Sequence, residues 1–498
     1  MENKNKFFTQ SEKMSQEYCC TVVRLGEILE IPGANTVAKT LVNGRTIVIG
    51  KDHKPGDVMI YCSNESQLNF DFLSVNNLFS HVDKNCNAEE VNKWLEEHAD
   101  APDEQVKEYL RTHRGYFEDK GRVKMTKLAG EVSMGVLFEL EQFKKWCPML
   151  DVDLEKLVGT DFDTVNDVLF IKAYVPEMSE ENEHHTGEGE PGPILKYNRM
   201  LPGHFVKHYD TQLFEKVVNR FNPDDVVTIS NKLHGTSYII GNIWSKVIVP
   251  SWLPENLFLH LPKWLQFTKE GHSVIYSSRQ IIQNQCITNR KRQAKRGLER
   301  CYEAYYEMLK DYIPENITIY GEIIGYVEKS NAFIQTVGQG YDYRCKPGEN
   351  QLLIYRVVEE EDGGKRKEFS PMEVIKFTNA LKINIDLSHG KPEIAARIRP
   401  LDVFYHGKLR DLYPDIPVDE NWHANLLERM KNDKEHFGME ENEPMCRNSV
   451  PREGIVIRID DDPVAEAFKL KCLKFLGKEA KQIDNGYIDP ESKERYES

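Results

Sequence analysis

Short apolar runs separated by turn residues characterise the first part of the chain. Between residues 18 and about 75, runs such as 21–31 (TVVRLGEILEI) and 45–50 (RTIVIG) are rich in β-branched side chains. Asn43–Gly44 lies between two of these runs, and Asn-Gly in that position strongly favours a β-hairpin. Compact antiparallel strands at this spacing indicate a small β-barrel.

A change of pattern divides this barrel. Residues 88–115 are charged and read as two short helices inserted between the strands, and strand-like runs return at 122–138 and 167–174. We therefore predict a β-domain over residues 18–177. The polar residues 1–17 that precede it are predicted to be a disordered tail.

A polar segment separates the β-domain from the rest of the chain. Residues 178–193 contain five glutamates, three glycines and two prolines but no lysine or arginine, so they cannot bury apolar surface. We predict an acidic linker at 178–199. His184 and His185 fall within it, and we expect them to be surface residues rather than metal ligands.

Strands and helices alternate in the remainder of the chain. The pattern predicts one mixed α/β domain over residues 200–480, followed by a tail at 481–498. Residues 246–270 are rich in Trp, Pro and Leu and interrupt two strands that would otherwise be neighbours. We treat this stretch as an insertion and expect a buried packing role for it rather than an exposed patch.

The charge of the chain limits the ways in which it could bind nucleic acid. The net charge of −15 over 498 residues argues against adhesion of the whole surface to nucleic acid. Residues 279–300 nevertheless hold seven arginines and lysines against the single acid Glu299. This stretch is either a solvated helix face or a phosphate-contacting helix.

The cysteines predict that the protein resides in a reducing compartment. Ten cysteines without any CxxC pair indicate buried, reduced thiols rather than a disulfide scaffold or a zinc ribbon. No stretch approaches the ~18–20 apolar residues of a membrane span, and the first residues lack the apolar core of a secretory signal. We expect a cytoplasmic protein with no membrane partner.

One lysine motif stands out because of the motifs that follow it. Lys232-Leu233-His234-Gly235 lies between two strand-like runs. The KxxG pattern also occurs at Lys127, Lys156 and Lys474, so it means little alone. Downstream of Lys232, however, stand residues 320–322 (YGE), 452–458 (REGIVIR) and 468–471 (FKLK), each at a predicted strand.

This ordered set resembles the covalent nucleotidyltransferase superfamily, which contains DNA ligases, RNA ligases and messenger-RNA capping enzymes. The resemblance covers residues 200–480. DNA ligases and capping enzymes usually have Asp as the third residue of this motif, whereas His234 is similar to the KxHG of RNA ligases that seal nicks in duplex RNA. An OB-like domain ahead of the catalytic domain is similar to one group of these ligases.

The resemblance implies an α+β fold, with an amino-terminal OB-like β-barrel followed by a mixed α/β, ATP-grasp-like nucleotidyltransferase domain with antiparallel sheets. In the chemistry it implies, the Lys232 amine attacks the α-phosphate of ATP and holds AMP covalently. The amine must first lose its proton. Lys469 and Lys471 are two residues apart on a strand and therefore share a face, from which they would depress the pKa of Lys232 and neutralise the phosphate.

The resemblance also implies roles for other residues. Glu322 would contact the ribose and the water shell of Mg²⁺ or Mn²⁺, and Glu453 would lie on the metal side. Arg279 would lie near the ribose and an incoming 5′-phosphate, and Tyr355 would stack on adenine unless it is a core tyrosine. The resemblance assigns His234 and Gly235 to the nucleotide pocket. It gives His234 no specific role.

The expected protein is thus a monomeric, ATP-dependent RNA ligase that joins a 3′-hydroxyl to a 5′-phosphate at nicks or breaks in duplex RNA. Three alternatives remain. A capping-type guanylyltransferase would use GTP, a DNA ligase would accept DNA at the 3′-hydroxyl side, and a silent RNA-binding protein would take no nucleotide.

Overall fold

The computed structural model describes residues 6–176, 195–196, 199–209, 211–279, 281–283, 286–287, 297–336, 339–361, 364–390, 392–460 and 465–486. The chain divides into two compact units, unit 1 (Met1–Pro176) and unit 2 (Glu177–Ser498). Most of the predicted linker at 178–199, including His184–His185, lies outside the described residues, and so do the basic residues 290–296.

The described residues of unit 1 form short strands and four α-helices. Its strands are β1 Phe8–Thr9, β2 Cys20–Arg24, β3 Ile28–Glu30, β4 Val37–Val42, β5 Arg45–Gly50, β6 Val58–Ser63, β7 Ser66–Leu68, β8 Thr126–Leu128, β9 Glu131–Ser133, β10 Gly135–Phe138, β11 Asp161–Phe162, β12 Thr164–Val165, β13 Val168–Leu169 and β14 Ile171–Ala173. Its helices are α1 Phe70–Val75, α2 Ala88–Glu97, α3 Asp103–His113 and α4 Leu140–Trp146. The helices α2 and α3 occupy the stretch 88–115.

Local signals in unit 1 act as the sequence predicts. Asn43 and Gly44 have positive φ angles of 48° and 69° and join β4 to β5, with Val42 opposite Arg45. Such angles suit a tight hairpin turn.

The predicted closed barrel is not found among the described strands. They form five open sheets in the orders β1-β12-β13, β10-β6-β2-β11, β14-β7, β3-β4-β5 and β8-β9. All of these strands have only two to six residues, and helices interrupt their sequence, so the hydrogen-bonded ladder does not run around a barrel.

The predicted tail at 1–17 is wrong for its described part. Phe8 is buried, pairs with Val165 across β1 and β12, and stacks on Phe162 with ring centroids 4.3 Å apart. The aromatic core of unit 1 continues through Phe72 and Phe143, whose ring centroids are 4.9 Å apart. Burying an aromatic side chain is worth ~1.5–3 kcal/mol, which is enough to hold a short terminal strand.

Unit 2 is a mixed α/β domain. Its strands are β15 Leu195–Lys196, β16 Gln212–Leu213, β17 Val226–Lys232, β18 Thr236–Ile248, β19 Thr268–Ser277, β20 Cys286–Ile287, β21 Ile317–Gly325, β22 Asn350–Glu361, β23 Lys365–Glu368, β24 Ile398–Pro400, β25 Val403–Lys408, β26 Gly454–Ile459 and β27 Ala467–Lys471. Its helices are α5 Phe214–Val217, α6 Glu255–His260, α7 Gly297–Leu309, α8 Pro371–His389, α9 Pro392–Ala395, α10 Leu409–Leu412, α11 Trp422–Asn432, α12 Lys434–Phe437 and α13 Leu473–Asp484. Because α13 runs to Asp484, the predicted start of a tail at 481 is also wrong.

Two sheets organise unit 2. A five-stranded sheet has the order β16-β27-β26-β17-β25, and a six-stranded sheet has the order β19-β18-β21-β22-β23, with β24 pairing β22. Apart from the parallel pairs β16–β27 and β22–β24, the strand pairs of these two sheets are antiparallel. This confirms the predicted α+β class with antiparallel sheets. The loop 233–235 connects β17 of the first sheet to β18 of the second.

Helices α7 and α8 cover the six-stranded sheet. Tyr302 and Tyr305 of α7 and Leu381 of α8 pack with strand residues such as Ile319 and are almost fully buried. Helix α8 carries the expected end signals. Ser370 accepts a hydrogen bond from the Glu373 backbone at its start, and Gly390 has a left-handed conformation at its end.

Among the described helices, none is both long and apolar enough to cross a membrane. The nine cysteines whose side chains are described carry no disulfide, and seven of them are buried. The predicted burial of these thiols is therefore confirmed for the described part of the chain.

The insertion at 246–270 is only partly buried. Ile248 and Phe258 belong to a small core of their own and are buried at 6% and 2%. Trp252, Trp264 and Phe267 lie outside this core and are exposed. The expected burial of this insertion is therefore wrong for these three side chains.

Candidate active site

Lys232 is the last residue of β17 and lies where the two sheets of unit 2 meet. It pairs with Gly454 of β26, while Thr228 and Ser230 precede it at alternate positions. Alternate residues of a strand point to the same face. Thr228, Ser230 and Lys232 all line a cleft with an empty volume of about 1190 Å³, including its open mouth.

The glycine of the motif is required by close packing. A Cβ on Gly235 would lie 2.4 Å from the Ile323 carbonyl oxygen and 2.8 Å from Cγ of Glu322. The Gly235 backbone N–H donates a hydrogen bond of 3.1 Å to Glu322 Oε1, and Gln335 donates one of 2.8 Å to the Gly235 carbonyl. The loop 233–235 thus holds the Glu322 carboxylate beside the end of β17.

The Lys232 ammonium forms an ion pair with Glu453, which directly precedes β26. Its Nζ lies 2.9 Å from Glu453 Oε1, and the two side chains are 23% and 6% exposed. Burial raises the pKa of the Glu453 carboxyl, but Lys232, His234 and Lys471 together outweigh it, so that this pKa lies far below its usual range. The carboxylate is therefore ionised opposite the lysine.

The structure contradicts the predicted depression of the Lys232 pKa. Burial and the charge of Lys471 both lower this pKa, as expected, but the carboxylates of Glu453 and Glu322 outweigh them. The pKa of Lys232 therefore lies above its ordinary value, and the side chain is an ammonium.

Lys469 and Lys471 lie on β27, next to the pair. Lys471 is opposite Gly454 and Lys469 is opposite Val456, so both lysines belong to the face that carries Lys232. Lys469 is buried, with 9% of its surface exposed, and the side chain of Lys471 is 11% exposed. The structure thus brings both predicted cations to this side of the five-stranded sheet.

His234 packs behind Glu453 and is not among the residues that line the cleft. Its ring meets Tyr341 and Phe475 edge-on, with centroids 4.9 Å and 5.1 Å away, and its Nδ1 lies 3.5 Å from Glu453 Oε2. The assignment of His234 to the nucleotide pocket therefore stays a prediction. The contacts indicate that His234 positions Glu453.

The cleft brings together four of the predicted residues: Lys232, Arg279, Glu322 and Tyr355. Tyr355 reaches it through a β-bulge. Tyr320 pairs with Arg356 and Gly321 pairs with Ile354, so Tyr355 is the extra residue between them. A bulge interrupts the alternation of side chains, and Ile354, Tyr355 and Arg356 all line the cleft.

The carboxylates fit a divalent metal that arrives with phosphates. Among the described residues, no three His, Cys, Asp or Glu side chains form a cage for a metal ion. Glu453 Oε2, however, is buried, and it lies 3.5 Å from His234 Nδ1. Because Mg²⁺ is usually bound by one or two carboxylates together with substrate phosphates, Glu453 and Glu322 suit such an ion.

Comparison with solved structures identifies structures with a similar fold. A ligand-free variant of Naegleria gruberi RNA ligase matches with a TM-score of 0.50 and 15% identity, over 95% of this chain and 100% of that one. The same ligase with pyrophosphate matches with a TM-score of 0.51 and 16% identity, over 94% and 100%. The chain shares the fold of this RNA ligase. No family model and no curated protein sequence matches the chain.

Sequence reasoning missed a buried charge network on the wall of the cleft. Arg356 and Arg458 both line the cleft, and they donate hydrogen bonds of 3.0 Å and 2.6 Å to the same Glu368 oxygen. Arg458 also donates to Asp460, which accepts a hydrogen bond from Thr228. A single arginine inside an apolar strand, as in LLIYRVV or GIVIRI, was the available signal, because an arginine is rarely buried without a partner.

Proposed function

We propose that this protein is an ATP-dependent RNA ligase that seals 3′-hydroxyl/5′-phosphate nicks in duplex RNA through a covalent lysyl-AMP. The main support is that Lys232 ends in a cleft with Glu322, Arg279 and Tyr355. That arrangement lies within a fold shared with Naegleria gruberi RNA ligase.

In the first step of the proposed reaction, the Lys232 ammonium releases its proton to solvent, and the neutral amine attacks the α-phosphorus of ATP. A P–N bond forms, the bond to the β-phosphate oxygen breaks, and pyrophosphate leaves with the electron pair. A Mg²⁺ or Mn²⁺ ion held by Glu453 and Glu322 would supply positive charge at the phosphates and weaken the carboxylate attraction that keeps Lys232 protonated. Lys469 and Lys471 face the same side and stabilise the charge of the α-phosphate.

The next two steps use the RNA ends. An oxygen of the RNA 5′-phosphate attacks the phosphorus of the lysyl-AMP, the P–N bond breaks, and a pyrophosphate-linked end forms. The 3′-hydroxyl then attacks the RNA phosphorus, AMP leaves, and the proton of the hydroxyl is released. Arg279 lines the cleft and is suited to hold the 5′-phosphate, since a guanidinium matches two phosphate oxygens at once.

Adenine would stack on Tyr355, which the bulge of β22 brings into the cleft. We propose that unit 1 acts as an OB-like domain that binds the duplex beside the nick. It would recognise the shape of the RNA duplex and its 2′-hydroxyl groups. We also propose that the protein acts as a monomer in the cytoplasm.

The first test is labelling with ATP or GTP that carries ³²P on the α-phosphate, with Mg²⁺ or Mn²⁺, followed by denaturing electrophoresis. We expect label from ATP only, and none on Lys232→Ala. The matched control is Lys127→Ala, which removes an exposed lysine of another KxxG sequence, on β8, and should label normally. Label from GTP would indicate a capping-type enzyme.

Absence of label from either nucleotide would contradict the proposed enzyme, provided that mass spectrometry shows the purified protein free of AMP. The substrate is tested separately, on nicked duplexes with RNA or DNA at the 3′-hydroxyl side. We expect sealing with RNA there, and equal sealing with DNA would indicate a DNA ligase.

A further inference from the structure

A buried carboxylate, Glu443, contacts the residues next to both members of the Lys232–Glu453 pair. Its side chain is 1% exposed, and it is not among the residues that line the cleft. Its Oε2 accepts hydrogen bonds of 3.1 Å from Asn231 Nδ2 and 3.3 Å from Arg452 Nε. Asn231 directly precedes Lys232. Arg452 directly precedes Glu453. One carboxylate oxygen thus joins the two segments that carry the pair.

Backbone contacts hold Glu443 and Arg452 in place. Glu443 Oε1 accepts a 3.0 Å hydrogen bond from the Met445 backbone N–H, and the Glu443 N–H donates one of 2.9 Å to the Val450 carbonyl. Arg452 Nη1 donates to the Phe437 carbonyl. Because both charged groups are tied to the main chain, their ion pair is a fixed point to which the two strand ends are attached.

The strand ladder holds this part of the site less firmly. Lys232 and Gly454 form the last pair between β17 and β26, and Glu453 lies one residue beyond it. The Cys472 backbone N–H donates a 2.9 Å hydrogen bond to the Glu453 carbonyl. The ends of regular elements open most easily. The contacts of Glu443 therefore restrain the pair at the place where the pairing of β17 with β26 ends.

A carboxylate is the chemical group that fits this position. Three donors converge on it, namely Asn231 Nδ2, Arg452 Nε and the Met445 N–H. A glutamine has one carbonyl oxygen, and its amide NH₂ is a donor that would face another donor. It would also leave the buried guanidinium of Arg452 without a counter-charge. Glu443→Gln thus disrupts the contacts while it changes the volume very little.

We propose that Glu443 is a positioning residue for the formation of lysyl-AMP. It fixes the segments of Lys232 and Glu453 relative to each other, so that the amine and the carboxylate meet the nucleotide in register. This inference rests on the proposed ligase function. A reacting group displaced by about 1 Å can react about a hundredfold more slowly, even when the altered residue lies far from the chemistry. Glu443 therefore affects the rate although it does not line the cleft.

The test is single-turnover labelling of the full-length protein with ATP that carries ³²P on the α-phosphate, at saturating Mg²⁺ and several ATP concentrations. For Glu443→Gln we expect the rate constant of labelling to fall at least about tenfold. The ATP concentration that gives half the maximal rate should change by less than about threefold, because no nucleotide contact is removed. A change in ATP affinity with a normal rate constant would overturn the proposal.

The matched control is Glu328→Gln, which breaks another largely buried ion pair of unit 2. Glu328 lies 2.6 Å from Arg397 and also accepts a hydrogen bond from Asn350. This variant should lose stability in thermal unfolding but keep the wild-type rate of labelling. An equal loss of rate in Glu328→Gln would show that the rate follows stability, and the positioning role would be refuted.

A second variant covers the case in which Glu443→Gln does not fold. Glu443→Met/Arg452→Met removes both charges, and replacement of a buried ion pair by apolar side chains of similar volume is often neutral for stability. It should fold and label at least about tenfold more slowly than the wild type, because the two strand ends are no longer joined. Labelling of this folded variant at the wild-type rate would contradict the proposal.

Acetylation separates this proposal from the proposed function, since it needs no nucleotide. Trace acetic anhydride at about pH 8 modifies lysines, and peptide mass spectrometry compares Lys232 with the exposed Lys127. In Glu443→Gln the hold of Glu453 on Lys232 loosens, so its relative acetylation should rise at least about threefold, with no rise in Glu328→Gln. Unchanged acetylation of Lys232 would refute the positioning role alone, whereas a wild-type protein that takes no label from nucleotide would refute the ligase function.

Discussion

The ion pair between Lys232 and Glu453 sets the charge of both groups in the candidate site. Both side chains are largely withdrawn from water, and the pKa of each moves in the direction that keeps it charged. The carboxylates therefore keep the Lys232 amine protonated, and a protonated amine cannot act as a nucleophile. The reaction that we propose requires this attraction to be weakened when nucleotide and metal bind.

Removal of the lysine should make stability depend differently on pH. Lys232→Met leaves Glu453 buried without its closest cation, so we expect the free energy of unfolding to fall by about 3 kcal/mol near pH 7. The pKa of Glu453 is lowered in the folded protein. Its pairing is therefore fully effective above ~pH 4.3, the unfolded value, and is lost as pH falls further.

Urea unfolding of both proteins at several pH values measures this effect. The difference in stability should be largest between about pH 5 and pH 10 and should shrink below ~pH 4. Lys232→Met/Glu453→Gln should recover part of the loss. A difference that does not vary with pH would show that the pair contributes nothing through its charge.

Tyr355 gives a second prediction, for nucleotide affinity. Tyr355→Ala should weaken ATP binding by about tenfold or more, since stacking is worth ~1–3 kcal/mol, whereas Tyr355→Phe keeps the ring and should bind almost normally. Isothermal titration of Lys232→Ala backgrounds with ATP measures this without turnover. Equal affinity of the Ala and Phe variants would assign Tyr355 to the core.

At the scale of elements, strand periodicity predicted which residues share a face of a sheet, but not which residues of other strands they contact. The two-residue spacing of Lys469 and Lys471 was enough to place them together. The contact of Lys232 with Glu453 depends on the pairing of β17 with β26, which are distant in sequence. The position of the bulge at Tyr355 likewise follows from the register of β21 and β22, which no local pattern encodes.

Gly454 supports a prediction at this scale. It has a φ angle of 149°, and a Cβ there would lie 2.0 Å from the Leu470 carbonyl oxygen. Gly454→Ala should therefore separate β26 from β27, displace Glu453 and reduce the free energy of unfolding by more than about 3 kcal/mol.

Gly477 in α13 is the matched control, because a Cβ there meets nothing within 4 Å. Gly477→Ala should stabilise the protein by ~0.5–1 kcal/mol, since alanine is the better helix former. Thermal unfolding and ATP labelling of both variants test the pair. A Gly454→Ala protein with normal stability and labelling would contradict the packing argument.

At the scale of the whole molecule, the candidate chemistry lies in one unit. Lys232, Arg279, Glu322, Tyr355, Glu453, Lys469 and Lys471 all belong to unit 2. The sequence motifs were sufficient to predict this concentration. They could not predict the full topology of unit 1. The Asn43–Gly44 turn predicts the β4–β5 hairpin, but pairs such as β1–β12 and β2–β11 join strands that are far apart in sequence.

Separate expression of the units tests this division. Residues 177–498 should fold cooperatively and take label from ATP at a rate within about threefold of the full chain, while sealing of nicked RNA should fall by at least about a hundredfold without unit 1. Calorimetry and the two activity assays measure these outcomes. A fragment that folds but takes no label would show that unit 1 contributes to nucleotide transfer.

The pairing of Lys232 with Glu453 also determines how readily this lysine reacts with electrophiles that carry no phosphate. Acylating and sulfonylating reagents react with neutral amines, and an ammonium held by a carboxylate is shielded from them. Exposed lysines of the chain would be modified first. A selective covalent inhibitor of the lysine would therefore need a group that displaces or neutralises Glu453 before its reactive centre arrives.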